Sequence, residues 1–532
     1  MIRRSLVTCL VLVAACAEDD GGSATSPDVG GDVSVGEVSA ADTDDPLVDA
    51  APSVDDVASP DLAGGVDLVA PPDEGPVTTN DANAEPDVED ASTPEDAAPG
   101  DVGQPADAGP EDVAQPEDTA APSLPPDFGE PPAALTSLSE LPGSFAEGVA
   151  SGDPANDGAV VWTRYLGPGA LTLEVYEDGV NTPAKTVAVA PSDDGVVQVV
   201  LDTLKPDERY FFAFVVSGGQ SGRSPIGRFR TAPPPDAAVP VRIAHTGDAK
   251  DSYMPYVMGD EIALEPGLAF WIFNGDTVYA DGSDSLEDYR EHYRVNWKDP
   301  SLHGLRAASA YTHTWDDHEF ENNFLPWEFP LLNEARQAYF EYHPTRRSTE
   351  DPNRLWRSIR WGSTVEVLVL DCRTERSADK LQYLSEEQMS WLESRLLDTS
   401  TVFKLIVTSA PIGTFLISGD DRWEGFPTHR KRILDFMSTH KLTRAFWLAA
   451  DFHSTVLHTL ENGSWEFIAG PMGMTLVPVV WNLLNGTAGV DYASGDFDNY
   501  HVLDLDPAAG TLTLTVKDEY GQVKYSNTYP HN

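Results

Sequence analysis

The chain has 532 residues, with 87 acidic against 34 basic side chains and a formal net charge of −53. That sign excludes a surface built to grip nucleic acid, which needs clustered Lys and Arg to neutralise phosphates. Of its three cysteines only Cys372 lies outside the first sixteen residues, which excludes an internal disulfide framework and leaves stability to a packed core.

Met1-Ile2-Arg3-Arg4 precedes an apolar stretch from Leu6 to Ala15 that ends at Cys16. A positive flank before a short apolar core is a secretory signal, too short to span a bilayer as a stable helix. Val13-Ala14-Ala15-Cys16 resembles the bacterial lipobox, whose Cys is acylated, so residues 1–16 read as a lipoprotein-type signal peptide. Ala17 follows, without the Asp that holds many lipoproteins at the inner membrane. The expectation is an exported chain, lipid-anchored at the outer membrane or cell surface. Were the signal simply cleaved, the chain would be periplasmic or extracellular.

Residues 17–132 repeat Asp, Pro, Ala, Val, Gly and Glu with almost no aromatics, and 31 of the 87 acidic groups fall in 17–130. No Lys or Arg occurs between Arg4 and Arg164. Such a segment cannot bury enough apolar area to offset backbone entropy, which predicts a disordered tether. Its r.m.s. reach would be at least ~60 Å. Outside it, with Arg3 and Arg4 set aside, the chain carries 56 acidic and 32 basic residues, a balance near −24.

From 133 to 233 the pattern is short β-type runs, Ala159–Arg164, Leu171–Tyr176, Val196–Leu201 and Tyr210–Val216, separated by Gly, Pro and Asp clusters. That spacing predicts a small all-β sandwich. Thr231-Ala232-Pro233-Pro234-Pro235 reads as a stiff linker.

Between 238 and 530 apolar strands alternate with helical stretches, which predicts a layered α/β domain. Strands are expected at Val241–Thr246, Leu268–Phe273, Val365–Leu370, Phe403–Thr408, Ala445–Ala450, Tyr500–Leu505 and Thr511–Val516. Helices are expected at Leu286–Trp297, Leu331–Tyr342, Ser385–Leu397 and Thr428–Ser438, the last opened by Pro427-Thr428.

The strand ends carry the chemistry. Gly247-Asp248 closes the first, Gly275-Asp276 with Tyr279 the second, Asp371-Cys372-Arg373 the third and Asp451-Phe452-His453 the fifth. Between the second and third stands Trp315-Asp316-Asp317-His318-Glu319, followed by Asn322-Asn323. Each has an ordinary reading as a turn, a cap or a salt-bridge partner. Together they place carboxylates at the sheet edge where open α/β folds bind ligands. Converging carboxylates repel unless cations neutralise them. One His, one Tyr and mostly oxygen donors suit a hard ion such as Fe³⁺ beside Ca²⁺, Mg²⁺ or Mn²⁺.

From about 140 to 520 the chain resembles the alkaline phosphatase D family of the calcineurin-like metallophosphoesterases. The resemblance is carried by Phe145 to Pro154 with Val161-Trp162-Thr163-Arg164, by Gly227 to Pro233, by Trp315 to Glu319 and by Gly275-Asp276-x-x-Tyr279. It implies a metallophosphatase-type β-sandwich flanked by helices, preceded by a small fibronectin type III-like domain. It also implies hydrolysis of phosphate mono- or diesters at a dinuclear centre, Fe³⁺ with Ca²⁺ or with Mn²⁺, Mg²⁺ or Zn²⁺. Carried over residue by residue, Asp276 would bridge two metals, with Tyr279 and His453 on the ferric ion. Asp451 would serve the second metal with an Asn of the Asn322-Asn323 pair, Asn323 being favoured. Asp317 is a further candidate, His318 would stabilise charge near the leaving oxygen, and Arg373 would clamp the phosphate.

Three departures stand out. Asp248 replaces a Cys ligand typical of the family, Cys372 replaces a Thr, and Ala450 replaces a Gly. The substrate would be a small phosphoester or a phosphate-containing polymer, reached by a monomer held to a membrane only through its N-terminal lipid. The alternative is a catalytically inactive surface binding protein on the same scaffold.

Overall fold

Apolar runs from the second half of the chain, read as buried strands, form two facing sheets with helices outside them. The computed structural model describes residues 127–532, apart from 219–220, 416–420, 479–481, 486 and 531–532. The described residues fall within a unit spanning Asp112–Asn532. The signal at 1–16 and the tether up to residue 126 lie outside the described residues.

One sheet has nine strands. Val523–Pro530, Thr511–Asp518, Asn499–Asp506, Val241–Thr246, Leu268–Asn274, Tyr311–Thr314, Val149–Ala155, Gly158–Arg164 and Val196–Val200 follow one another across it. The second has seven, in the order Arg357–Trp361, Val365–Val369, Phe403–Val407, Ala445–Ala449, Trp465–Ile468, Thr455–Thr459 and Val490–Ser494.

Successive side chains of a strand point to opposite faces, and here both faces are covered. Ile243, Phe270 and Ile272 of the first sheet share one core cluster with Val367, Leu405 and Leu448 of the second. The alternate residues Ala244, Trp271 and Phe273 pack against Tyr289 and Tyr293 of the Leu286–Asn296 helix and Ala338 and Tyr339 of the Leu332–Tyr342 helix. On the far side Leu368, Ile406 and Trp447 pack on Leu392 and Ile433 of the Glu386–Leu397 and Pro427–Thr439 helices. The result is a mixed α/β fold, helix on sheet on sheet on helix.

The four expected helices form within a residue or two of their expected limits. Ser285 and Ser385 cap two of them by accepting from the backbone N–H of Asp288 and Gln388. The Pro300–Ala308 helix, started by Asp299 and Pro300, lies outside the expected set.

The N-terminal region departs from an isolated sandwich. Ala170–Glu177, Lys185–Val189, Arg209–Ser217 and Gly222–Arg223 form a separate sheet that Gly227–Arg230 joins by pairing with Arg209–Ser217. Val149–Ala155, Gly158–Arg164 and Val196–Val200 instead extend the nine-stranded sheet. The join is the parallel pairing of Gly152 with Tyr311. Gly152 and Pro154 weaken the strand signal of this segment, because neither is at home in a central strand. Gly152 is there because there is no room for more: a Cβ would sit 2.2 Å from the Pro344 carbonyl oxygen and 3.0 Å from that of Tyr311.

Gly152→Ala should therefore destabilise the protein by ~1–3 kcal/mol in urea unfolding, the cost of overpacking. Gly304→Ala should instead stabilise by up to ~1 kcal/mol, since a Cβ there meets nothing within 4 Å in an exposed turn of the Pro300–Ala308 helix. Equal effects at both positions would refute the steric account of the join.

Candidate metal centre

In each sheet the three adjacent strands that lead into the expected site run parallel, and their C-terminal ends open on a common edge. Val241–Thr246 pairs with Leu268–Asn274 and that with Tyr311–Thr314. Val365–Val369 pairs with Phe403–Val407 and that with Ala445–Ala449. At these tips the backbone turns sharply. Asp248, Asp276, Asp451 and His453 have φ of 56°, 49°, 68° and 49°, and Asn323 has 53°. Ten non-Gly residues of the described chain adopt positive φ, and these five are half of them. Such strain, about 1–3 kcal/mol a residue, persists where surroundings over-determine it, and it clusters at functional sites.

The tips bring together three donor groups, each with ligand atoms within 4.8 Å of one another: Asp248, Asp276 and His453; Asp276, Asp317 and His318; Asp316, Asp317 and Asp451. Asp276 belongs to two groups and so does Asp317. Tyr279 Oη donates to Asp276 Oδ2 at 3.2 Å and lies 3.4 Å from His453 Nε2. The Asp451 N–H donates to Asp248 Oδ1 at 3.2 Å. Asp248 Oδ2 and Asp316 Oδ2 are buried with no hydrogen-bond donor.

Gly470 closes over the first of these orphans. A Cβ at Gly470 would come within 2.6 Å of Asp248 Oδ2. A second glycine, Gly275 with φ of 82°, makes the turn before Asp276.

The electrostatics are those of a site short of positive charge. Burial pushes the Asp248 carboxyl well above the ordinary carboxylate range, and Asp451 and Asp316 add to the shift. Burial, then Asp317 and Asp316, does the same to Asp276. Burial, then Asp316 and Asp421, raises Asp451. Tyr279 is held well above the usual phenol range by burial and by Asp276. Carboxylates that cannot all ionise together, with buried lone pairs lacking donors, are the donor set a multivalent cation requires. The residues present therefore fit a centre of hard cations.

Three neighbours hold the cluster together. Burial works against the charge on Asp317, but Arg373 and His318 outweigh it and hold that carboxyl at about 2. Burial likewise opposes a charged His318, yet Asp317 and Asp281 outweigh it and raise the imidazole to about 9. His318 Nδ1 donates to Asp281 Oδ2 at 2.7 Å, and the ring stacks on Tyr279 with centroids 4.1 Å apart. Burial lowers His453 to about 4, with His318 adding to the effect.

Of the expected residues, Asp248, Asp276, Tyr279, Asp317, His318, Asp451 and His453 converge here. Asn323 lies beside Asp317: its N–H donates to Asp317 Oδ2 at 2.6 Å, while its carboxamide nitrogen donates to Asn322 Oδ1 at 3.0 Å. Arg373, the expected phosphate clamp, lies among these carboxylates. Its side chain has no exposed surface, it bonds Asp316 through Nε, and it lies 3.5 Å from Asp317 and 3.6 Å from Asp451. Its Nε and Nη1 bond Asp316 and Asp421, while Nη2 is buried without a hydrogen-bond partner. Cys372 is buried, with Sγ 3.2 Å from Thr408 Oγ1 and a thiol pushed up to about 12 by burial.

Sequence reading left Asp316, Asp281 and Glu319 without roles. Glu319 accepts the N–H of Asp276 at 3.2 Å, of Thr277 at 2.6 Å and of Asp316 at 2.8 Å, and so ties two strand tips to one carboxylate. Burial raises it to about 7 against these donors. Its position in Asp-Asp-His-Glu was the available signal.

Comparison with known proteins gives the arrangement a context. Residues 251–494 match the family model described as PhoD-like phosphatase, and residues 132–233 match that of the PhoD-like phosphatase N-terminal domain. The chain is 28% identical over 391 residues to alkaline phosphatase D of Bacillus subtilis (strain 168), an alignment covering 58% of this chain and 64% of that protein. It thus spans just under two thirds of the length of that curated relative. In fold it resembles the solved structure of PhoD, with a TM-score of 0.65 and 22% identity over 73% of this chain and 91% of that one. It also resembles a purple acid phosphatase from yellow lupin seeds, with a TM-score of 0.53 and 16% identity over 72% and 73% of the two chains.

Glu319→Gln should weaken metal binding ~10–100-fold, as loss of a support behind the ligands does, measured by competition with a chromophoric chelator. Unchanged affinity would show that the strand tips hold their places without it.

Proposed function

The chain belongs to the PhoD-like phosphatase family, and from that premise we propose that it hydrolyses phosphate mono- or diesters at a dinuclear metal centre. The observation that carries the reading is the sharing of Asp276 between two adjacent donor groups, the arrangement a bridging carboxylate needs. Asp248, Tyr279 and His453 would complete one position; Asp317, Asp451 and Asp316, with Asn323 at the rim, would serve the other. The oxygen-rich set and the single phenol favour Fe³⁺ at the first position and Ca²⁺, or another hard divalent ion, at the second. When bound, such a pair supplies Lewis acidity to a phosphoryl group and acidifies a water nucleophile.

The chain's own residues do the rest. His318, kept protonated near neutral pH by Asp317 and Asp281, is placed to donate a proton to the leaving oxygen. Asp281 fixes the ring so that Nδ1 is occupied and Nε2 is presented. Arg373 orders Asp316 and Asp317 from inside the cluster. The cation left for a substrate oxygen is Lys250, whose Nζ stands 5.3 Å from the centre of the Tyr279 ring. Among the described residues no carboxylate pairs with it.

The N-terminal signal and lipobox-like Cys16 support export and a lipid anchor at the cell envelope, with the acidic segment after it as a spacer. The acidic balance supports a small phosphoester or phosphate polymer as substrate over a nucleic acid bound by surface charge. The chain is read as a monomer.

Purified protein supplied with Fe, Ca²⁺ or Mn²⁺ should hydrolyse p-nitrophenyl phosphate or its bis ester. Asp276→Asn should abolish turnover; full turnover in that variant would end the assignment. His318→Ala should lower kcat ~10²–10⁴-fold with KM little changed, whereas Lys250→Ala should raise KM. Iron on Tyr279 should give a visible tyrosinate-to-iron absorption band that Tyr279→Phe removes. A colourless, iron-free, fully active enzyme would exclude iron from the first position.

A further inference from the structure

Five of the chain's arginines fall within fifteen residues, Arg346, Arg347, Arg354, Arg357 and Arg360. In a chain with 87 acids and 34 bases such crowding is out of keeping with the rest of the surface. All five line one open cavity of ≈1040 Å³, where the Val149–Ala155 strand meets the segment that follows the Leu332–Tyr342 helix. None of the metal-centre carboxylates lines it.

Two of the arginines are accounted for by the chain itself. Arg357 forms a fork on Asp153 at 2.8 and 2.9 Å. That carboxylate also accepts from Thr312 Oγ1 and the Arg346 N–H, so its lone pairs are used. Arg354 stacks on Trp356 and pairs with Glu350 and Glu387, whose side chains are 82% and 75% exposed. Pairs so exposed contribute little and are readily exchanged.

The other three have no carboxylate partner among the described residues. Arg360 bonds only to the carbonyls of Gly362, Pro235 and Ser400. Arg347 bonds only to the Pro352 carbonyl and lies over the Phe340 ring at 4.3 Å. Arg346 Nε and one of its terminal nitrogens are buried with no acceptor at all. Asp202, whose carboxyl Arg346 helps to lower, is bonded to Lys185.

A guanidinium edge with two unused N–H groups is the geometry that a tetrahedral oxyanion satisfies in bidentate fashion. Arg346 has such an edge, and with Arg347 and Arg360 it makes three arginines without a carboxylate partner around one groove, which suits a ligand with several oxyanion groups better than a single phosphate. We propose that this groove is a second, non-catalytic site for an oligophosphate ligand. Arg346 and Arg347 bind separate phosphate groups and Arg360 closes the far end. The proposal is independent of the catalytic reading, because the two sites share no residue.

Isothermal titration of the full, metal-loaded protein with trimetaphosphate tests it, with inorganic phosphate and sulfate as single-anion references. Trimetaphosphate should bind one per chain, at least tenfold more tightly than either reference, and should weaken as salt is raised. The double variant Arg346→Gln/Arg347→Gln should lose at least tenfold. Ser358→Glu, which adds a charge at an exposed lining position and removes no contact, should weaken binding as well without changing the melting temperature. Asp276→Asn should leave binding intact. Loss of binding in Asp276→Asn would place the anion at the metal centre and overturn the proposal. So would the absence of saturable binding, or unchanged affinity in both groove variants.

Discussion

The structure depends on one electrostatic constraint: several carboxylates, most of them buried, share a space that holds too little positive charge. Asp248, Asp276 and Asp451 are each driven toward the neutral form by burial first and by neighbouring carboxylates second, Asp451 for Asp248, Asp317 for Asp276 and Asp316 for Asp451. A folded protein keeps such a cluster only if something else makes it favourable. Part of the compensation is internal. Arg373 is buried among Asp316, Asp317 and Asp451, His318 carries a charge supported by Asp317 and Asp281, and Glu319 gathers three backbone N–H groups. The remainder is left to cations, so their binding free energy is also folding free energy at this edge. The ions and the fold are thus thermodynamically one system.

The scaffold meets the constraint by geometry. Two sheets face each other with their parallel strands ending at one edge, so tips far apart in sequence arrive side by side. The approach is close enough to couple residue choices across the sheets. A Cβ on Gly247 would meet the Ala450 Cβ at 2.7 Å. With Ala at 450, position 247 has to be Gly. Asp248, Asp276, Asp451 and His453 take their positive φ at these same tips.

Much of this was legible in the sequence because burial on both faces writes continuous apolar runs. Val365–Val369, Phe403–Val407 and Ala445–Ala449 are buried along their whole length and were read within a residue. The ligand types could be read because Asp and His after such runs are chemically conspicuous. What stayed hidden was structure that leaves no pattern. Tyr311–Thr314 is four residues long between a helix and a turn, and Val149–Ala155 contains Gly152 and Pro154. Glu319 acts through backbone N–H groups, which any sequence supplies. Arg373 reads equally well as exposed clamp or buried brace until its surroundings are known. Here those surroundings are carboxylates, and one guanidinium nitrogen among them has no hydrogen-bond partner.

The Asp at 248, where the resemblance leads one to expect Cys, is the feature that first suggested an inert relative. Its environment argues otherwise. A thiolate offers one donor atom, whereas a carboxylate offers two, so a simple loss of function would leave the second oxygen clashing or unpaired without purpose. Asp248 Oδ1 is taken by the Asp451 N–H, which fixes the carboxylate plane. Oδ2 is buried with no donor, and the carboxylate belongs to the group with Asp276 and His453. The room for it exists because residue 470 is Gly, with φ of 102° and no Cβ to fill the 2.6 Å that separates that position from Oδ2. An oxygen held in place from one side, buried, denied a protein donor and given space by a neighbouring glycine is a hard ligand in waiting. A carboxylate in place of a thiolate is a harder donor, suited to ions that favour oxygen. It leaves the number of donors undiminished.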